Sequence, residues 1–253
     1  MTHSIVEDWL AALEARHLSA LRVPEVARAL RALSSAYVER RKTVVARGGA
    51  LDSAGKRAAF ALFYAPLHFL VTTHVVRALG ADAPPPASVL DIGCGTGAGG
   101  AAWALAAGGV PVTGLDRHPW AVEEARCTYR HFGLRGHARQ GDAARLPPLR
   151  PGGAVIAAYA LNEMPDAVRR GLEDRLIDAS RRGTRVLILE PIARGLTPWW
   201  EATAERVKAA GGRADEWRFT AALPPLVRVL DTAAGLDHRE LTAKSLYCPG
   251  MGG

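Results

Sequence analysis

The chain has 253 residues, about half of them apolar, and a net charge of +7. That length can bury a full α/β core with one small appendage, and the apolar content excludes a disordered chain. Three widely spaced cysteines, Cys94, Cys127 and Cys248, form no C-x-x-C pair, which argues for a reducing cytoplasm and against a zinc or iron–sulfur site.

Met1 to Leu10 contains Glu7 and Asp8 and lacks an apolar centre, so no signal peptide is expected. Ser4-Ile-Val-Glu7 fits a capping box and predicts a helix with Ile5, Trp9, Leu10 and Leu13 on one face. Pro24 suits the start of a second helix, running to about Ala46 and closed by Gly48-Gly49. A third helix is expected from Asp52 or Ser53, with Pro66 kinking it or opening another that runs to Leu79. Residues 58–79 are apolar but interrupted by Pro66, His68, Thr72, Thr73, His74 and Arg77, which predicts buried helices and no membrane span. Ala81 to Ala87, with three consecutive prolines, reads as a linker between a helical cap (1–80) and a larger domain (81–253).

From Ser88 onward strands and helices alternate, as in a parallel α/β sheet. Strands are predicted at 88–92, 110–115, 137–140, 154–159, 185–189, 217–220 and 239–248. Helices are predicted at 98–107, 119–132, 166–181, 197–210 and 224–234.

The chemistry centres on Asp91-Ile-Gly-Cys-Gly-Thr-Gly97. A strand, a glycine turn and a helix let the backbone approach a ligand at a helix N-terminus. Gly95 to Gly100 formally satisfies G-x-G-x-x-G, a weak signal alone. Asp91 separates the alternatives, because a carboxylate there would repel the pyrophosphate of NAD or FAD and would suit a cation. Asp-x-Gly-x-Gly-x-Gly resembles motif I of the class I methyltransferases, whose cofactor S-adenosylmethionine carries an ammonium and a sulfonium and no phosphate. The resemblance implies a Rossmann-like α/β fold with a seven-stranded sheet, its last strand antiparallel, under an N-terminal helical cap. It also implies cofactor binding by Asp91, Gly93, Cys94, Gly95, Thr96 and Gly97, although Cys94 reads equally as a packing residue.

Ligands of open α/β sheets lie beyond the carboxyl ends of the strands. Asp116, 25 residues beyond Asp91 and beside Arg117, is placed to hold both ribose hydroxyls; a solvated loop aspartate is the alternative. Asp142 resembles the methyltransferase position that bonds the adenine amino group, with the Ala143 N–H beside it; a helix N-cap is the alternative. The segment Tyr159-Ala-Leu-Asn-Glu-Met-Pro-Asp166 borders cofactor and acceptor in this superfamily, which places Tyr159 on the cofactor side. Asn162 and Glu163 are candidates to orient an acceptor or take its proton, with helix capping as the alternative. The segment is not Asn-Pro-Pro-Tyr, and no Pro-Cys or Thr-Cys pair offers a thiolate.

A finer resemblance rests on the basic N-terminus, Ala-Leu-Asn-Glu-Met (160–164), Leu-Ile-Leu-Glu-Pro (187–191) and Glu-Leu-Thr-Ala-Lys-Ser-Leu-Tyr (240–247). These segments look like the mitochondrial small-ribosomal-subunit methyltransferase family and its bacterial relatives. What this implies is methyl transfer to rRNA, or a non-catalytic role in ribosome assembly. Longer members carry a cysteine cluster after the fifth strand; Ile192 to Trp199 has none, so no metal is carried over. Residues 1–80 hold 11 Lys and Arg against 6 Asp and Glu, and Arg40, Arg41, Lys42 and Arg47 make residues 40–47 a candidate RNA contact. The 28 arginines against 4 lysines give a compositional alternative for that patch. The other acceptor class is a small molecule in a pocket under the cap, lined by Phe60, Phe63, Tyr64, Phe69, Trp199 and Trp200.

Overall fold

The computed structural model describes residues 2–39 and 51–250, so Arg40, Arg41, Lys42 and Arg47 lie outside the described residues. In chain order the helices are α1 (Thr2–His17), α2 (Val23–Glu39), α3 (Ala54–Ala59), α4 (Ala65–Ala78), α5 (Ala98–Ala106), α6 (Pro119–His131), α7 (Asp166–Arg181), α8 (Trp200–Ala209) and α9 (Pro225–Ala233). The strands are β1 (Val89–Ile92), β2 (Val112–Asp116), β3 (Gly136–Gln140), β4 (Ala154–Ala158), β5 (Arg185–Glu190), β6 (Arg213–Phe219) and β7 (Leu241–Cys248).

Two compact units form, Met1–His68 with Phe219–Leu241, and Phe69–Arg218 with Thr242–Gly253. The division falls inside α4, not at the proline-rich stretch that marks the boundary in the sequence. Residues 219–241 also belong with the N-terminal helices, which a single cut at 80/81 does not provide.

In the first unit α1 begins at Thr2, two residues ahead of the capping box. Its inward face is Val6, Trp9, Leu10 and Leu13, while Ile5 is 39 % exposed. Leu30 and Leu33 of α2 and Val227 and Leu230 of α9 are also buried. The side chain of Arg31 donates to the Ala233 carbonyl, and Ser34 and Tyr64 share a hydrogen bond of 3.1 Å. α3 and α4 are one run, joined by a π-helical turn at Phe60–Tyr64. Pro66 has no N–H to give the preceding turn, and its ring crowds the carbonyl four residues back. The wider turn just before it takes up that misfit and the helix continues. The run Ala54–Ala78 is long and apolar enough to cross a membrane, but 72 % of its most apolar stretch is buried within the protein. Burial, not a bilayer, accounts for its composition.

The second unit holds a seven-stranded sheet in the order β3-β2-β1-β4-β5-β7-β6. β1 to β5 pair in parallel, and β7 runs antiparallel to β5 with Glu190 opposite Lys244. One face buries Ile92, Val155, Val186, Ile188 and Leu246 against Leu172 and Leu176 of α7 and Trp200 and Val207 of α8. Parallel strands covered on both faces read as continuous apolar runs, which is why 154–158 and 186–189 carry no alternation.

The proline-rich stretch is pinned. Trp103 Nε1 donates to the Ala81 carbonyl at 3.2 Å, and Arg185 Nη1 donates to the carbonyls of Ala81 (3.0 Å) and Pro84 (2.6 Å). Arg185 starts β5, so this one side chain ties the segment to the middle of the sheet. Arg185→Met, which keeps the aliphatic stem, should lower stability by about 1–3 kcal/mol, the usual effect of losing hydrogen bonds from a charged group. Chemical denaturation checks this, and an unchanged midpoint would show that the stretch holds itself.

Candidate cofactor and acceptor site

β1 ends in a turn that glycine alone fits. Gly93 has φ +65°, and a Cβ there would stand 2.6 Å from the Ala160 Cβ. The turn therefore lies directly against the segment that follows β4. Gly97, at φ +77°, is the left-handed residue from which α5 starts.

Two carboxylates hold this turn. Asp91, 1 % exposed, accepts the Gly100 N–H at 2.8 Å through Oδ2. Asp116, at the end of β2, accepts the Gly95 N–H (2.9 Å) through Oδ2 and the His118 N–H (2.8 Å) through Oδ1. Asp91 thus works beneath the turn, while half-buried Asp116 keeps a lone pair on each oxygen beyond these two bonds. Thr96 is buried in the turn. Cys94 stands in the same turn. Its side chain is buried, its N–H donates to the Leu115 carbonyl, and its carbonyl accepts the Gly97 N–H. Its sulfur lies over Gly114, where a Cβ would come within 2.8 Å, so the residue packs the turn.

Burial pushes the Asp91 carboxyl up to about 7; the Gly100 N–H opposes this, and the charge of Asp116 adds to it. Two acids lie at the base of this cradle. Such a donor set fits S-adenosylmethionine and disfavours a pyrophosphate.

Arg117 is exposed and its carbonyl accepts from Gln140 Nε2 at 2.9 Å. Asp142 is exposed and caps a short helical turn, Oδ1 accepting the Ala144 N–H at 2.9 Å, so the capping alternative is present in the fold. Ala143 opens that turn. Tyr159, just beyond β4, takes φ +57°, and burial with the nearby charge of Glu190 raises its phenol well above the usual range. A non-glycine residue held in the left-handed region is strained, and such strain gathers at functional sites.

Asn162 caps no helix. Its backbone N–H donates to Glu190 Oε1 at 3.0 Å and its Nδ2 to Glu190 Oε2 at 2.6 Å. Glu163 lies beside it, half-buried. Glu190 is the residue that sequence reasoning missed. It ends β5 fully buried, and its only signal was an acid closing an otherwise apolar strand.

The aromatic residues proposed to line a small-molecule pocket are engaged inside their own units. Phe63 is fully buried against Tyr64 at 5.4 Å, and Phe69 stacks on Phe132 at 5.3 Å. Trp199 lies under Arg169 at 4.8 Å, and Trp200 under Lys244 at 4.4 Å. Among the described residues no group of three His, Cys, Asp or Glu could hold a metal ion.

Replacing Asp116 with alanine should weaken S-adenosylhomocysteine binding by about 1–3 kcal/mol, read by calorimetry; unchanged affinity would remove Asp116 from the site. Asp91 supplies a second expectation. Because its folded value of about 7 lies above the ordinary 3.8, ionising it costs stability as pH rises through that window. A bound cation favours the ionised form, so S-adenosylmethionine should bind more tightly as pH climbs from roughly 6 to 8, by up to about tenfold. Asp91→Asn can still accept the Gly100 N–H and should abolish that pH dependence; an unaltered profile would assign it elsewhere.

Comparison with known proteins agrees with this geometry. Residues 89–183 match the family model described as "Methyltransferase domain". No curated protein matches the chain. Mitomycin 7-O-methyltransferase is 17 % identical in sequence, with 98 % of this chain and 75 % of that one covered at a TM-score of 0.51. Magnesium protoporphyrin IX methyltransferase from Synechocystis PCC 6803, solved with bound cofactor, is 17 % identical over 90 % of this chain and 97 % of its own, with a TM-score of 0.48. A candidate RNA methyltransferase from Pyrococcus horikoshii is 13 % identical over 72 % and 83 %, with a TM-score of 0.45. The likeness to mitomycin 7-O-methyltransferase speaks to the fold alone. Residues 89–183 of this chain are a methyltransferase domain of the class I fold, and its cofactor is S-adenosylmethionine.

Proposed function

We propose that the protein methylates RNA, in line with its resemblance to the mitochondrial small-ribosomal-subunit methyltransferase family. The observation that carries this reading is a set of arginines at the ligand edge of the sheet. Arg117 follows β2, Arg139 lies near the end of β3, Arg145 follows it, and Arg194 follows β5; all four are exposed. None of them has an acidic partner among the described residues. Arginines such as Arg130, Arg181 and Arg182 at the opposite edge close helices, where the macrodipole favours a cation. At the ligand edge α5, α6 and α7 present their N-termini, and the same dipole disfavours one. The dipoles of these long helices give no reason for cations there, and a polyanionic acceptor does.

The cofactor supplies an electrophilic methyl group on sulfur. The chain's own residues hold it on the glycine turn and Asp116, and Asn162 and Glu163 face the acceptor. Alignment of donor and acceptor supplies most of the acceleration in such a displacement.

Incubation with tritiated S-adenosylmethionine and either whole-cell RNA or a metabolite extract tests the reading, and the label should enter RNA. Alanine at Arg139, Arg145 and Arg194 together should lower RNA affinity and flatten its salt dependence, by roughly 0.7 of log–log slope per lost contact on a single strand. S-adenosylhomocysteine affinity should hold. Label confined to the metabolite extract would overturn the RNA acceptor and favour a small molecule.

A further inference from the structure

Three segments converge beside the cofactor turn with no part in holding it. Asn162 follows β4, Glu190 ends β5, and Lys244 lies opposite Glu190 in β7. Glu190 receives two bonds from one residue, the Asn162 backbone N–H at 3.0 Å and its Nδ2 at 2.6 Å. The clamp decides which way the side-chain amide faces. With nitrogen turned to the carboxylate, Asn162 Oδ1 is turned away, and it is buried with no hydrogen-bond partner. A buried acceptor without a donor is costly, and native structures keep such groups where something is meant to meet them.

Lys244 completes the arrangement. It is 6 % exposed, donates from Nζ to Thr197 Oγ1 at 2.5 Å, and lies 4.4 Å above the Trp200 ring. As the cross-strand neighbour of Glu190 it places a positive charge beside a fully buried carboxylate. An opposite charge across the strand pair offsets part of the cost of burying the carboxylate that accepts both bonds from Asn162.

We propose that Glu190, with Lys244 as its counter-charge, is a positioning residue that sets the Asn162 oxygen to receive the N–H or O–H of the methyl-accepting nucleophile. This rests on residues 159–166 being the acceptor segment, and it holds for RNA or a small molecule alike. Ala160 against Gly93 puts the oxygen one short step beyond the cofactor turn. The nucleophile is then an amine, an amide N–H or a hydroxyl. Its lone pair forms the new bond to the methyl carbon as the carbon–sulfur bond breaks and that pair passes to sulfur. Its proton leaves to water, because an amide oxygen orients a proton and does not keep it.

The chain makes the test unusually clean, because Asn162 is its only asparagine and Gln140 its only glutamine. A ¹⁵N spectrum therefore contains two side-chain amide pairs. Glu190→Gln adds one pair of its own, and should shift the Asn162 pair while leaving that of Gln140 in place; an unmoved Asn162 pair would overturn the clamp. Transfer of tritiated methyl is then measured into whichever pool the wild type labels, whole-cell RNA or metabolite extract. Glu190→Gln and Asn162→Ala should each lower turnover tenfold or more with S-adenosylhomocysteine affinity within twofold. The double variant should be no worse than Asn162→Ala, since Glu190 acts through Asn162. Additive losses would overturn the proposal, as would cofactor affinity falling in step with turnover, which would assign the oxygen to the cofactor. Label in metabolites alone would sink the RNA reading and leave this proposal testable in that pool. Label in neither pool, with S-adenosylhomocysteine still bound, would sink the acceptor segment and this proposal together.

Discussion

A glycine turn with its N–H groups pointing into a ligand site cannot hold its own shape. The N–H groups of Gly93 and Cys94 reach the Leu115 carbonyl of β2, those of Gly95 and Gly100 turn to side chains, and the glycines leave the backbone free. In this protein two carboxylates from neighbouring strands supply the missing acceptors, Asp91 from below through Gly100 and Asp116 from the side through Gly95. Their cost is chiefly burial, which raises the Asp91 carboxyl, with the charge of Asp116 adding to it. A cationic cofactor offsets that cost. The element that shapes the turn is thus also the one that selects the charge of what binds there.

The second polar centre is built on the opposite principle. Glu190 lies at a strand end, where both of its carboxylate oxygens accept from one residue, Asn162. The two centres meet where Gly93 touches Ala160. The two centres therefore stand at the ends of neighbouring strands of one sheet.

Much of the fold was legible in the sequence. The strand–glycine–helix unit and the βα alternation were readable because each is a local pattern of apolar runs and turn residues. Three things escaped, each for a non-local reason. Residues 219–241 look like more of the same alternation, and only folding shows them returning to the N-terminal helices. Pro84 to Pro86 look like a free linker, yet Arg185, about a hundred residues on, holds the segment by its carbonyls. Glu190 and Lys244 sit in separate segments, and antiparallel register alone reveals them as neighbours. In the candidate site, Asp91 and Asp116 were legible by their position at strand ends, and both hold the glycine turn. Cys94 was included for its place in the motif, although its side chain turns into the core.

The order β5-β7-β6 has a consequence for how the chain comes into being. β6 lies next to β7 and not next to β5, so while the polypeptide is being made its neighbour in the sheet does not yet exist. The helices at the front of the chain wait in the same way for residues 219–241. Five parallel strands can assemble as they emerge, but the edge of the sheet stays open, with β5 unpaired on one side, until residues near 248 are available. An open edge of that kind is a template for pairing with other chains. Apolar β5, Arg-Val-Leu-Ile-Leu-Glu, is therefore the stretch most exposed to misassembly during synthesis, and the last strand is what shields it.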